Sequence, residues 1–443
     1  MKKYLIGAGL GLSLLGGAIA QPAPIVMPLD KAVQTALQNN KGIRLADVRT
    51  QAAEARSQEA KDRSLPTASA SLAYSRYSLT GPFAFGEGSD GKPLFGIPAG
   101  AFNATIGGAT ISKEIFGGFA EKSAEKSAAL LAQASRLDAQ RNRSELVYTV
   151  TDAYYNIVKL IRSTTVIEQN IRQFDERERE ARNLEKEGVV TANEVLKIQL
   201  QKNNLNLSRL QVDKARQTAL YNFNLLLGLP DDQSITVDTT LANPAAVTQQ
   251  LTTFLTQAQQ VRPEVEANAL RVQSAQEQLR NTKSALYPHL GVSAGYNYIN
   301  PSARLLPQAN SFISAWNVGA GLSYNIGSLY NMKGRLNTAK TAIDQATIQG
   351  QQQADQIRSD VVTAYNNYQL ALEQQNVIRT AVGQAQENYR LTESRFRNGL
   401  VGSTDLLEAD SFLLQAQLNV INATVDAQLA YQRLLKATGT NLN

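Results

Sequence analysis

Few side chains in this 443-residue chain could do bond-making chemistry, and they are scattered. There is one histidine, His289, and no cysteine. Thiolate metal sites, disulfides and an acylated N-terminal cysteine are therefore excluded. His289 follows Pro288 where a strand should begin, which suits an interfacial side chain better than a catalytic one. A hydrolase needs a base beside a nucleophile, and no Ser-His-Asp set, Gly-rich phosphate loop or metal-ligand cluster can be assembled. The chain reads as a non-enzyme without cofactor or metal. The charged run Asp175 to Glu187 reads as a solvated helix face with i,i+4 pairs such as Asp175–Arg179. Thr191-Ala192-Asn193-Glu194 has capping-box spacing, with Glu194 placed to cap a helix start. Asp405 falls in a first helical turn, where the helix dipole favours an acid. Glu408 lies one turn deeper, where no such reason applies.

The start of the chain indicates a compartment. Met1-Lys2-Lys3 is followed by an apolar run from Leu5 to Ile19, and Ala18-Ile19-Ala20 has the small-x-small form of a cleavage site. Residues 1–20 read as a secretory signal peptide. Beyond it no run of roughly 18 uncharged apolar residues occurs, so a membrane would have to be crossed by a closed β-barrel. The formal charge of +6 falls to about +4 without Lys2 and Lys3. With no basic block carrying interleaved aromatics, nucleic acid is excluded as a partner.

An internal repeat organises the rest. Gly188 and Gly399, Tyr154 and Tyr365, Gly228 and Gly439, and Ser112 and Ser323 are each 211 positions apart. A constant offset points to packed helix, because one inserted residue turns every later side chain by about 100°. Upstream, Pro66 and Pro288, Leu29 and Leu251, and Ala36 and Ala258 are 222 apart. The first copy therefore holds 11 extra residues (222 minus 211) between Pro66 and about Thr105, in the Gly- and Pro-rich segment Thr80 to Gly100. That composition predicts an exposed loop, facing the exterior.

The chain divides into repeat 1 at 21–229, a linker at 230–250 and repeat 2 at 251–443. Each repeat should hold a first helix (Leu29–Leu65, Leu251–Leu286) stopped by Pro66 or Pro288, two strands, and a long helix (Gly118–Glu187, Leu329–Asn398). A turn at Gly188 or Gly399 follows, and then a last helix ending at Gly228 or Gly439. About 70 helical residues span roughly 105 Å, far more than a compact domain needs.

The strands, at about 67–79, 103–116, 289–299 and 313–327, alternate with period two. Leu290, Val292, Ala294, Tyr296 and Tyr298 share one face, against Gly291, Ser293, Gly295 and Asn297. Such strands are the signature of a transmembrane barrel. A soluble antiparallel sheet alternates in the same way; the signal peptide, the helix lengths and the small polar second face favour the barrel. Four strands cannot close one, since single-chain barrels need at least about eight. Two chains would give a side-chain-filled interior, and three would give twelve strands and a lumen.

Together the 211 offset, the Leu65-Pro66 and Tyr287-Pro288 junctions, the Gly188 and Gly399 tips, and the Leu227-Gly228 and Thr438-Gly439 helix ends resemble the TolC-like outer-membrane efflux protein family over essentially the whole mature chain. The resemblance implies an α+β membrane protein. Its helical hairpins would form an α-barrel, and its four strands per chain would be completed by trimerisation into a 12-strand β-barrel in outer-membrane lipid. It implies an exit duct for efflux or type I secretion, served by an inner-membrane pump and a periplasmic adaptor. The adaptor would dock on the tips at Gly188, Val189, Val190, Gly399, Leu400 and Val401. The alternative is a periplasmic coiled-coil structural or adaptor protein of an export system. Family members carry acids six and nine residues after the second tip Gly, here Asp405 and Glu408. Three chains would then ring the tunnel mouth with six carboxylates, and Glu194 and Lys197 hold the equivalent places in repeat 1. Where studied members have a basic gate residue two after the Gly, this chain has Val401. The cargo is not written in the sequence.

Overall fold

The structure, a computed structural model, describes residues 25–81, 83–87, 89–90, 93–97, 99–231, 233–240, 249–301 and 313–440. The expected signal peptide and part of the expected linker lie outside them.

The first helix of each repeat, expected to be continuous, is broken in two. Repeat 1 begins with α1 (Leu29–Asn39) and α2 (Lys41–Asp62). Asn40 between them is extended at ψ 127°, and its side-chain oxygen accepts the Gly42 N–H at 2.7 Å. Its amide also donates to the Leu226 carbonyl at 2.8 Å. Asparagine offers the backbone an alternative to the helical bond, and here that alternative wins. The matching break in repeat 2 uses proline. It separates α5 (Leu251–Val261) from α6 (Pro263–Ser284), and Arg262 before the proline is extended at ψ 126°. Both α2 and α6 stop two or three residues short of the expected Leu65 and Leu286.

Each break seats the end of a later helix. The long helix α3 (Ala120–Lys186) turns at Gly188 into α4 (Ala192–Leu227), and α8 (Lys333–Arg397) turns at Gly399 into α9 (Ser403–Ala437). At the end of α4, a Cβ on Gly228 would stand 2.7 Å from the Asn39 carbonyl oxygen. At the end of α9, one on Gly439 would stand 3.0 Å from Arg262 Cγ. Glycine lets the two backbones meet. Before α8 lies a short helix, α7 (Ser328–Asn331), separated from it by the buried Met332. The long helix expected from Leu329 is thus interrupted for one residue, although Met332 keeps right-handed helical angles.

Four strands, β2 (Thr67–Leu79), β5 (Gly100–Gly117), β7 (His289–Pro301) and β8 (Ile313–Ser323), form one antiparallel sheet in that order. β8 ends before the expected 327, because the Asn325 carbonyl accepts both the backbone N–H and the hydroxyl of Ser328 and starts a helical turn. The insertion in repeat 1 is not irregular throughout. It carries its own antiparallel pair, β3 (Phe83–Glu87) and β4 (Pro93–Ile97). The linker also contributes structure that its polar composition hid: β6 (Ile235–Val237) pairs in parallel with β1 (Ile25–Met27).

Among the described residues the buried apolar side chains form separate clusters. One joins Met27, Ile157, Phe223, Leu227 and Val237 where α1, α3, α4 and the small parallel pair meet. A second joins Phe254, Ile357, Tyr368 and Leu434 in repeat 2. A third, towards the tip of the first hairpin, holds Ile171, Phe174, Val195 and Leu205. At about 1.5 Å per residue the 67 residues of α3 reach roughly 100 Å.

The tip glycines and Gly228 share a positive φ but differ in surroundings. A Cβ added to Gly188 (φ 73°) or Gly399 (φ 71°) would meet nothing within 4 Å. Alanine at either tip therefore meets only left-handed strain, about 1–2 kcal/mol. Gly228→Ala adds a clash with the Asn39 carbonyl and should lower the thermal midpoint more than Gly188→Ala or Gly399→Ala. Melting followed by circular dichroism checks that order, and equal losses at all three would contradict it.

Candidate functional site

The two hairpin tips are built alike. At the end of α3 the Val189 N–H bonds the Leu184 carbonyl at 2.9 Å and the Gly188 N–H bonds Glu185 at 3.0 Å. At the end of α8 the Leu400 N–H bonds Arg395 at 2.9 Å and the Gly399 N–H bonds Phe396 at 2.9 Å. This double closure needs left-handed glycine and satisfies the last helical carbonyls. Val189 and Leu400 are left exposed at the ends, with Val190 and Val401 half-buried behind them.

Just past the tips lie the candidate charged residues. Asp405 and Glu408 are exposed on the first turns of α9, and neither makes a hydrogen bond or ion pair among the described residues. The capping box read at Glu194 is not formed. Thr191 makes no side-chain cap, the Glu194 N–H bonds the Thr191 carbonyl at 3.0 Å, and the Glu194 carboxylate turns to Lys197 at 3.2 Å. Lys197 does not bond to Asp405 or Glu408. It reaches across to the second hairpin and donates to the Thr404 hydroxyl at 3.0 Å, tying the two tips together. The pair Asp175–Arg179 is replaced by a cross-helix one, Asp175 with Lys202 at 2.6 Å.

Above the tips are two polar clusters that sequence reasoning missed. In the first hairpin the Glu178 carboxylate accepts from Arg182 at 2.8 Å, Gln199 at 2.8 Å and Lys202 at 2.9 Å. In the second, Asp410 on α9 is 1% exposed and accepts from Arg177 of α3 at 3.2 Å. The same guanidinium donates to the Tyr389 hydroxyl on α8 and lies between the rings of Phe174 and Tyr389, 5.1 and 5.2 Å from their centroids. Burial pushes the Asp410 carboxyl up, against the pull of Arg177. The Asp410–Gly399 spacing carries no signal of its own. Only the proximity of residues 233 positions apart reveals the pair.

At the other end of the helices Pro66 and Pro288 stand between the last turns of α2 and α6 and the first residues of β2 and β7. His289 Nδ1 lies 3.4 Å from a Glu114 carboxylate oxygen, and both side chains are partly exposed. Among the described residues no group of three or more potential ligands gathers for a metal, and no helix is long and apolar enough to cross a membrane.

The Glu178 cluster has a pH signature. Hydrogen bonds from Gln199, Lys202 and Arg182 hold its carboxyl at about 2, below its usual 4.5. A depressed carboxyl stabilises the fold above its unfolded value and loses that contribution as pH falls through the folded one. Glu178→Gln should therefore lower the melting midpoint at neutral pH, and its gap from wild type should close between about pH 4.5 and 2. Melting curves across that range test this, and a constant gap would contradict it.

Comparison with known proteins agrees with this architecture. Residues 32–229 and 254–440 match the outer membrane efflux protein family. The outer membrane efflux protein BepC of Brucella suis is 22% identical over 340 residues, covering 75% of this chain and 71% of its own. The probable efflux pump outer membrane protein TtgC of Pseudomonas putida is 23% identical over 426 residues, covering 93% and 82%. The solved CmeC outer membrane channel of Campylobacter jejuni superposes with a TM-score of 0.79 at 17% identity, over 93% of this chain and 85% of that one. Matched over both repeats, the chain belongs to the outer membrane efflux protein family.

Proposed function

We propose that three copies of this chain close one passive duct through the outer membrane, for efflux or type I secretion. The observation that carries the proposal is the sheet. β2 and β8 are its edges, and among the described residues neither outer edge is paired. Leu72, Trp316, Val318 and Leu322 on it are each more than 70% exposed. Unpaired strand edges do not survive in lipid, and an exposed apolar face of this kind suits lipid and not water. Three copies supply twelve strands, pair every edge and leave a lumen. The N-terminal signal would export the chain, and the hairpins would extend into the periplasm. There the tips at Gly188, Val189, Val190, Gly399, Leu400 and Val401 would dock a periplasmic adaptor of an inner-membrane pump.

The mouth of the duct would carry Asp405 and Glu408. Both are exposed and uncompensated among the described residues, so three copies bring like charges together and attract cations. Glu194 would be neutralised locally by Lys197, at 3.2 Å, which leaves the second hairpin to set the sign of the mouth.

Two measurements test the proposal. Detergent-solubilised protein should have the mass of a trimer by light scattering, and a monodisperse monomer would refute the closed barrel. In planar bilayers, Asp405→Ala combined with Glu408→Ala should bring the cation-to-anion permeability ratio down towards unity and weaken block by multivalent cations. Assembly should be unchanged, because neither side chain is packed. Wild-type selectivity and block in the double variant would remove both residues from the mouth.

A further inference from the structure

The one histidine of the chain has been given a carboxylate. His289 opens β7, and beside it the pairing of β7 with β5 carries a bulge. Glu114 stands opposite Gly291, Ile115 is skipped, Phe116 stands opposite Leu290 and Gly117 opposite His289. In a regular strand Glu114 and Phe116 would share a face, and Gly117 would lie on the other. The extra residue reverses this. Phe116 joins the face of Leu290, and Glu114 and Gly117 come to the face of His289, which also carries Gly291 and Ser293.

On that face the carboxylate has room and no basic partner. A Cβ on Gly117 would overlap Glu114 Oε1, so the carboxylate lies where any other residue would put its side chain. Gly321 stands opposite Gly291, and a Cβ there would meet nothing within 4 Å. Lys113, the neighbour of Glu114 in the chain, turns instead to Glu121 at 3.2 Å. Among the described residues the side-chain partner of Glu114 is His289, whose Nδ1 lies 3.4 Å from Oε2. That separation is longer than an ordinary N–H···O bond of about 2.7–3.2 Å. It matches two ligands of one tetrahedral ion, since two bonds of about 2.0–2.1 Å at the tetrahedral angle hold their ends roughly 3.3–3.4 Å apart.

We infer that Glu114 and His289 form a binding site for a divalent transition-metal ion, zinc or copper(II), with one site in each chain. A neutral imidazole nitrogen beside a carboxylate oxygen is a donor set for such ions. Magnesium and calcium take oxygen ligands and would gain nothing from the histidine. Two protein ligands leave the remaining positions to water, and both side chains are partly exposed, so those positions open to solvent. A structural zinc site closes all four positions with protein; this one is built for an ion that enters and leaves. His289 is the first residue of β7 and Gly117 the last of β5, so three copies would ring the throat where helices give way to strands. That placement rests on the duct reading, but coordination within one chain does not.

The test needs neither conduction nor a trimer, so it fails or succeeds separately from the duct. The full-length chain, without an affinity tag and freed of metal by a chelator, is titrated with copper(II) and read by pulsed electron spin resonance. There is one histidine and no cysteine, so coupling to a single imidazole assigns the ion to His289. Asp405 and Glu408 can offer copper only oxygen. One imidazole-coupled copper per chain is expected, and zinc should displace it. His289→Ala should abolish the coupling. Glu114→Gln keeps the size of the side chain and removes its charge; it should weaken both ions by at least roughly tenfold, since the loss of even an outer-shell partner costs that much. It is the decisive variant if His289→Ala does not assemble. Gly117→Ala keeps both ligands but drives the carboxylate aside, and should weaken binding likewise. Copper without imidazole coupling, or an affinity unchanged in Glu114→Gln, would overturn the inference.

Discussion

Among the described residues the buried apolar side chains never form one continuous core, and that discontinuity is the constraint on which the rest depends. A helix of 67 residues has too little apolar partner surface along its length for one continuous core. Among the described residues the buried apolar side chains therefore gather in three separate clusters along the helices. Within and beside the clusters, position is also set by directional polar contacts. The Tyr154 hydroxyl donates to the Asp238 carbonyl and accepts the Asp238 N–H, Arg162 holds the Thr239 carbonyl, and Asn40 holds Leu226. Each such bond contributes on the order of 1 kcal/mol net, but leaving a buried partner unpaired costs more.

The same constraint explains why the two repeats share a backbone and not a chemistry. α5, α6 and β7 each begin 222 residues after α1, α2 and β2. Yet the helix break is made by an asparagine cap in one and by a proline in the other. What must be kept is the seat for the later helix end at Gly228 or Gly439, and either device makes it. Near the tips the divergence goes further. Glu178 closes its own hairpin, whereas Tyr389 and Asp410 depend on Arg177. The second hairpin also carries the two acids without a partner among the described residues, Asp405 and Glu408.

Much of the architecture is local information and could be read in the chain itself. Gly188, Gly228, Gly399 and Gly439 mark turns because each adopts a positive φ. Pro66 and Pro288 mark the ends of helices because proline cannot continue one. Period-two alternation places β2, β5, β7 and β8 within a few residues of their observed bounds. The misreadings come from residues whose preference is weak until a partner arrives. Asn40 could have stayed helical without Leu226, and Ile235–Val237 is too short to register as a strand without β1.

Residue type and spacing by themselves determined the repeat, the order of helices and strands, and the tips. They did so because periodicity and backbone restriction act over a few residues. Only the tertiary structure decided what those tips are tied to. Lys197 faces Thr404 and not the acids, Glu194 faces Lys197 and not its helix cap, and Arg177 lies between Tyr389 and Asp410. Arg177 is separated from those two partners by 212 and 233 positions. No local rule brings such residues together; the packing of α3 against α9, and of α9 against α8, does.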